Sequence, residues 1–176
     1  MFNLGEHVFY PKGGVFLIEK QSQKHVCGLN IKCFDLVSFD GKTTISIPEN
    51  NVDRVGVRSL LTPKELECAL GSFKPDHKLT KLHHKNRKSR FEVLRQTGNF
   101  DDMGLVVTTI HNLIHKTKAT FEEKRMYDQI RKRLVDEISV VNALDSDKAN
   151  ELLGNSLDEA IQRSPKETVE AVASES

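Results

Sequence analysis

The chain has 176 residues, of which 38% are apolar and 29% charged, so its length allows one ordinary domain or two small ones with a modest core. Its 26 Lys and Arg residues nearly balance 25 Asp and Glu residues, and the net charge of +1 therefore favours neither a nucleic-acid nor a membrane partner. No apolar run approaches the roughly 18 residues that a membrane span needs, the first residues do not resemble a signal peptide, and the 3 cysteines without a CxxC pair are typical of a reduced cytoplasmic protein.

Short β-strands are predicted in the N-terminal part of the chain. They fall at residues 7–10, 15–19, 29–39, 43–47 and 52–57. In the third of these, apolar residues recur at every second position, which is the pattern of a half-buried strand. Asp40-Gly41 is typical of a hairpin turn. Pro48 cannot donate to a sheet ladder, so the strand before it ends there or lies at an edge. Together these strands predict a small twisted sheet or barrel.

Beyond residue 60 the pattern changes to that of helices. Capping boxes at Thr62, Thr120 and Ser156 each predict the start of a helix. Two further helices are predicted over residues 79–95 and 100–114, the second because an apolar residue recurs at every third or fourth position.

The change of pattern near residue 60 predicts two domains. We expect an α+β protein with a β module at residues 1–59 and a helical domain at residues 60–163. Residues 164–176 lack aromatic residues and apolar periodicity, so a disordered tail is expected there.

Positive charge is concentrated in residues 77–90, which hold six Lys or Arg residues, three His residues and no acid. Such a run at the start of a helix can supply several contacts to phosphates. The cations expected on one side of this helix are Lys81, Lys85, Arg87, Lys88 and Arg90. A solvated helix face with no ligand is the alternative interpretation.

Motifs for catalysis or metal binding are weak. Gly41-Lys42-Thr43 lacks the earlier glycine of a P-loop and precedes a strand instead of a helix. His111 and His115 are four residues apart, as metal ligands can be, but Asn112 replaces the glutamate of an HExxH motif and the sequence shows no third ligand. We therefore expect a protein that is not an enzyme and that uses no metal or cofactor.

Five short motifs occur in an order and spacing that chance rarely produces. They are FNLGEHVFYP at residues 2–11, VCGL at 26–29, ISIP at 45–48, VGVR at 55–58 and EKRM at 123–126. In this order they resemble the CarD/CdnL family of bacterial transcription regulators, over residues 1–160. The resemblance implies an N-terminal Tudor-like module that binds the β subunit of RNA polymerase. It also implies a helical domain that contacts promoter DNA at the upstream edge of the transcription bubble.

The resemblance also directs attention to particular residues. We expect polymerase binding by strand addition along the predicted edge, with contacts from Lys24, Thr43, Thr44, Ile45, Ser46, Ile47 and Pro48. A proline at Ile45 is expected to remove a donor from this edge. The residues expected to bind DNA are Lys81, His84, Lys85, Arg87, Lys88 and Arg90. Two positions depart from the family, because His84 stands where a tryptophan typically wedges into the minor groove and Ser46 stands where arginine is common.

The expected function is that of a monomeric transcription regulator that stabilises open promoter complexes. Docking of the β module on polymerase would hold the basic helix near promoter DNA, where weak contacts without sequence preference suffice. The protein would be cytoplasmic, associated with the nucleoid through polymerase, and without a membrane partner. The alternative is a Tudor- or KOW-like module that binds RNA or the ribosome, which would expose aromatic rings on its sheet for base stacking.

Overall fold

The computed structural model describes residues 1–165 as a five-stranded antiparallel sheet followed by six helices, which confirms the predicted α+β fold class. The strands are β1 (His7–Tyr10), β2 (Gly14–Val26), β3 (Leu29–Ser38), β4 (Thr44–Pro48) and β5 (Arg58–Ser59). The helices are α1 (Pro63–Gly71), α2 (His77–Lys81), α3 (His84–Gln96), α4 (Phe100–His115), α5 (Phe121–Asn142) and α6 (Ser146–Arg163). Apart from Ser164 and Pro165, the predicted tail lies outside the described residues.

The strands lie in the order β4-β3-β2-β1-β5, and neighbouring strands are antiparallel. Strand β2 is much longer than the predicted strand at residues 15–19, because its second half pairs with β3 as far as the pair Val26–Leu29. Cys27 and Gly28 form the turn between them, with φ values of 50° and 79°, as a two-residue hairpin turn of this kind requires. Backbone pairing with β3 stabilises the second half of β2. The residues of this half carry no apolar alternation that could predict a strand.

The fifth strand lies later than predicted. Residues 52–57 do not form a strand, and β5 is a two-residue strand in which Arg58 pairs with Phe9 of β1. Val52 and Val57 are buried against the sheet from a turn region instead. The strand predicted over residues 52–57 is therefore wrong.

Strand β1 is buried on both of its faces. Successive side chains of a strand point to opposite sides of the sheet. Val8 belongs to an apolar cluster within the sheet, whereas Phe9 belongs to the main cluster formed with the helices, and both are fully buried. Val15 on β2 also joins the main cluster. The sheet and the helices therefore share a core.

Polar contacts fix the sheet against α5. The Arg58 guanidinium donates to both carboxylate oxygens of Glu137, at 2.8 and 2.9 Å, and its Nε donates to the Gly98 carbonyl at 2.8 Å. Glu137 is fully buried. Arg133 of the same helix donates to the carbonyls of Pro11 and Lys12. These contacts cross the predicted boundary at residue 60, and the division into independently folding domains stays a prediction.

Two of the three predicted capping boxes are present, at Thr62 and Thr120. The third is wrong, because Ser156 lies inside α6, which begins after the cap residue Asp145. The Ser156 hydroxyl donates to the Leu152 carbonyl one turn earlier. Within residues 1–165, no helix combines the length and the hydrophobicity needed to cross a membrane.

Candidate nucleic-acid interface and sheet edge

The basic segment forms two helices and not the single helix predicted over residues 79–95. Asp76 caps α2, its side chain accepting from the backbone N–H groups of Lys78 and Leu79. The helix ends at Leu82, whose backbone is extended, and α3 begins after His83. Lys81 is therefore not in helical register with the cations of α3.

The Arg87 side chain binds backbone carbonyls at the break between the two helices. Its Nη1 donates to the carbonyls of Leu82, at 3.0 Å, and Thr80, at 3.4 Å. Its Nε and Nη2 donate to the two carboxylate oxygens of Glu123, at 2.6 and 3.1 Å, and both side chains are buried. The predicted phosphate contact from Arg87 is therefore corrected, because its donors are engaged inside the protein.

Glu123 links this ion pair to the start of α5. It closes the capping box by accepting from the Thr120 backbone N–H at 2.9 Å. Burial raises the pKa of Glu123, but the bonds from Arg87 and Thr120 outweigh burial and hold that pKa below its ordinary value. Arg87 and Glu123 together attach the basic segment to α5.

The exposed cations of α3 do not lie on one side. Lys85 and Lys88 line the same shallow surface pocket, whereas Arg90 follows Lys88 by two residues and so lies about 160° away around the helix axis. The Lys88 ammonium contacts Glu122 at 2.5 Å, and this bond lowers the pKa of Glu122. In the part of the chain that the structure describes, Lys85 forms no ion pair.

An aromatic ring that the sequence analysis missed lies beside these cations. The Phe121 side chain is 80% exposed and lines, with His84, Lys85 and Lys88, a pocket of about 540 Å³. The His83 and His84 rings lie nearby, with centroids 4.1 Å apart and planes tilted by 40°. One signal could have found Phe121: it is the first residue of α5 and lies about 120° from the apolar stripe that begins at Tyr127. We call His84, Lys85, Lys88 and Phe121 the basic surface.

The N-terminus of α3 adds positive potential to the basic surface. His83, the residue before the helix, makes no capping bond with its side chain. Within residues 1–165, no side chain accepts from the first backbone N–H groups of α3, which lie at the positive end of the helix dipole. Such a terminus next to an unpaired lysine favours phosphate oxygens.

Strand β4 forms one edge of the sheet, as predicted. It pairs with β3 from Thr44–Val37 to Pro48–Cys33, and within residues 1–165 no strand lies on its other side. Thr43 precedes the strand, and its carbonyl accepts from the Ser38 N–H at 2.8 Å.

The side chains of the edge are partly buried. Ile47 is buried, and the Ser46 hydroxyl donates to the Asp35 carboxylate, which lowers the pKa of Asp35. Lys24 lies on the exposed distal part of the β2–β3 hairpin, opposite Ile31 and beyond the end of β4. The structure therefore brings residues 43–48 together on one edge, and leaves Lys24 on the neighbouring ribbon.

The sheet offers little surface for base stacking. Phe9, Phe16 and Phe34 are buried, and Phe39, after the end of β3, is 42% exposed. The described sheet therefore shows few of the exposed aromatic rings that are expected of the alternative RNA-binding module.

The fold and these surfaces define a class of protein: an α+β chain whose sheet has an open edge strand and whose helices carry a basic surface. The family model described as CarD, C-terminal domain, matches residues 73–154, which run from the end of α1 into α6. This match supports a member of the CarD/CdnL family, as the sequence motifs indicated, and suggests a transcription-related function. Proteins of this family are regulatory, not enzymes, and they interact with RNA polymerase.

Proposed function

We propose that the protein binds the β subunit of RNA polymerase through β4 and promoter DNA through the basic surface, and so stabilises open promoter complexes. The observation that carries the DNA part is the exposed Phe121 ring beside His84, Lys85 and the N-terminus of α3. Lysine and the helix terminus supply sites for phosphates, and the two rings supply flat surfaces for bases.

Phe121 provides an apolar ring surface that His84 alone does not supply. An apolar ring inserted at a step between bases partly unstacks them, and this costs less where the DNA is already melted. A phenyl ring covers more apolar area than an imidazole. With Phe121 adjacent to His84, the pair can do the work that the family resemblance assigns to a single tryptophan.

The polymerase part of the proposal rests on the open edge of β4. An extended segment of a partner can pair with the unpaired N–H and C=O groups of such an edge. Docking there raises the effective concentration of the basic surface near DNA, so a weak contact suffices. A preference for melted over closed DNA then shifts the opening equilibrium by the difference in affinity.

The shared core bears on how the two contacts act together. Arg58–Glu137 and the buried Phe9 hold the sheet against α5, and these contacts favour a fixed position of one surface relative to the other. A rigid connection keeps the basic surface at a set distance from the polymerase contact and avoids the entropy loss of ordering a linker.

The first test measures how binding of duplex DNA depends on salt. Log affinity falls as log salt concentration rises. Lys85→Ala is expected to make this negative slope shallower by about one unit, since one phosphate contact is lost. Arg90 was also predicted from the sequence to bind DNA, but it lies on the other flank of α3, outside the basic surface. Arg90→Ala removes the same charge and is therefore the matched control. Equal changes in the two variants would assign the effect to net charge and contradict the proposed surface. Lys81 stays a predicted contact, and Lys81→Ala can be measured in the same series.

The second test measures the lifetime of open promoter complexes. Phe121→Ala is expected to shorten it about tenfold, because stacking on an aromatic ring is worth about 1–3 kcal/mol per base. Val93→Ala is the control, since Val93 is 64% exposed on α3 outside the pocket. The stability of both variants should stay close to that of the wild type. An unchanged lifetime in Phe121→Ala would remove Phe121 from the proposed DNA contact.

A further inference from the structure

Two histidines of α4 and an aspartate of α6 meet at the surface of the helical part. His111 Nε2 lies 2.8 Å from Asp158 Oδ1, and His115 Nε2 lies 3.8 Å from the same oxygen. The three candidate ligand atoms all lie within 4.8 Å of one another. The sequence showed only the two histidines, and the fold supplies the third ligand that an assignment to metal binding lacked.

The His111 ring is held in place by its surroundings. Its Nδ1 lies 2.9 Å from Tyr127 Oη, and the two rings are stacked with centroids 5.7 Å apart. Arg131 donates to the same Tyr127 oxygen at 2.6 Å. A phenol oxygen has two lone pairs, so it can accept from both Arg131 and a protonated Nδ1. Without a metal, Nε2 donates to the Asp158 carboxylate. When Nε2 binds a metal, the proton moves to Nδ1, where the Tyr127 oxygen can accept it, as outer partners of metal-binding histidines commonly do.

We propose that His111, His115 and Asp158 bind one Zn²⁺ ion, which links α4 to α6. Two imidazole nitrogens and one carboxylate oxygen suit zinc better than magnesium or calcium, which prefer oxygen ligands alone. Tetrahedral coordination with bonds of about 2.0–2.1 Å needs ligand atoms about 3.3 Å apart. His115 and Asp158 are 57% and 56% exposed, so their side chains can rotate to close the remaining gap. Water takes the fourth position.

The bound ion stabilises the last described helix. Helix α6 packs into the main core through Ala149, Leu153, Leu157 and Ala160. Asp158 lies between the last two in the sequence. An ion held by both helices would oppose separation of α6 from α4. It binds only the folded protein, because the two histidines and Asp158 are far apart in the unfolded chain.

The test uses the full-length chain after removal of metals with a chelator. Zn²⁺ is expected to bind in calorimetry with a stoichiometry of one, and Mg²⁺ is not. At free zinc about 100 times Kd, Tm should rise by about 5–10 °C. His115→Ala and Asp158→Asn are expected to weaken zinc binding at least tenfold and to remove the rise in Tm. Both residues are exposed, so the variants should fold.

A control addresses the two adjacent histidines of the basic segment. His83 and His84 are also adjacent, and the double variant His83→Ala with His84→Ala should bind zinc as the wild type does. If this double variant loses zinc binding while Asp158→Asn keeps it, the ion belongs to the basic segment and the proposal is overturned. It is overturned equally if zinc does not saturate the wild type, since His111 and Asp158 then form only a hydrogen bond.

Discussion

Replacing Arg87 with alanine is expected to lower the free energy of unfolding by about 3–5 kcal/mol, the usual cost of leaving one partner of a buried ion pair without the other. The variant leaves the Glu123 carboxylate buried without its two guanidinium bonds, and it also leaves the Leu82 carbonyl without a donor. Denaturation by urea, followed by circular dichroism, measures this loss.

Lys85→Ala is the matched control for this stability effect. It removes a cation from the same helix two residues away, but the Lys85 side chain is exposed, so the change should stay within about 0.5 kcal/mol. If Arg87→Ala were as stable as Lys85→Ala, the buried ion pair would be unimportant, and the predicted phosphate contact from Arg87 would regain support.

The same ion pair predicts how stability depends on pH. The pKa of Glu123 is lower in the folded protein than its ordinary value of about 4.3. Its contribution is therefore present above that ordinary value and is lost as pH falls through the lowered, folded-state pKa. Glu123→Gln should show a smaller loss of stability than the wild type when pH is reduced from 6 to 3.

Replacing Thr44 with proline is expected to weaken binding to core RNA polymerase at least tenfold while leaving the fold intact. In an antiparallel pair, successive residues point their N–H groups alternately toward the partner strand and away from it. The Ser38 N–H donates to the Thr43 carbonyl, which sets this alternation. The N–H of Ile45, opposite Leu36, therefore faces β3, and the N–H of Thr44 faces outward.

This alternation corrects the expectation for Ile45. A proline there breaks a bond within the sheet, so Ile45→Pro should lower Tm as well as polymerase binding, and it does not isolate the edge. Thr44→Pro removes an outward donor at the first residue of the strand, where proline is tolerated. Thr44→Val keeps the donor and serves as the control. Full polymerase affinity in a folded Thr44→Pro variant would contradict strand addition at β4.

Elements whose stabilising contacts are local could be predicted from the residues alone. The capping boxes at Thr62 and Thr120 each join residues three positions apart, so both partners are visible in one short motif. The Asp40-Gly41 turn, where Gly41 has a φ of 71°, likewise depends on neighbouring residues. Periodic apolar residues predicted β3 and α4, because burial of one face repeats at fixed spacing along an element.

Which residues of these elements form the candidate sites depends on how the helices and strands pack. Arg87 and Glu123 are 36 residues apart, and their pairing buries a side chain that the sequence predicted to contact phosphate. The same guanidinium donates to the carbonyls of Thr80 and Leu82, where the single predicted helix is divided into two. His111 and Asp158 are 47 residues apart, and Phe121 reaches the basic surface from a different helix. A run of cations shows the amount of charge but not which side chain meets a buried carboxylate. That depends on how helices distant in sequence pack, and such packing leaves no periodic signal in either segment.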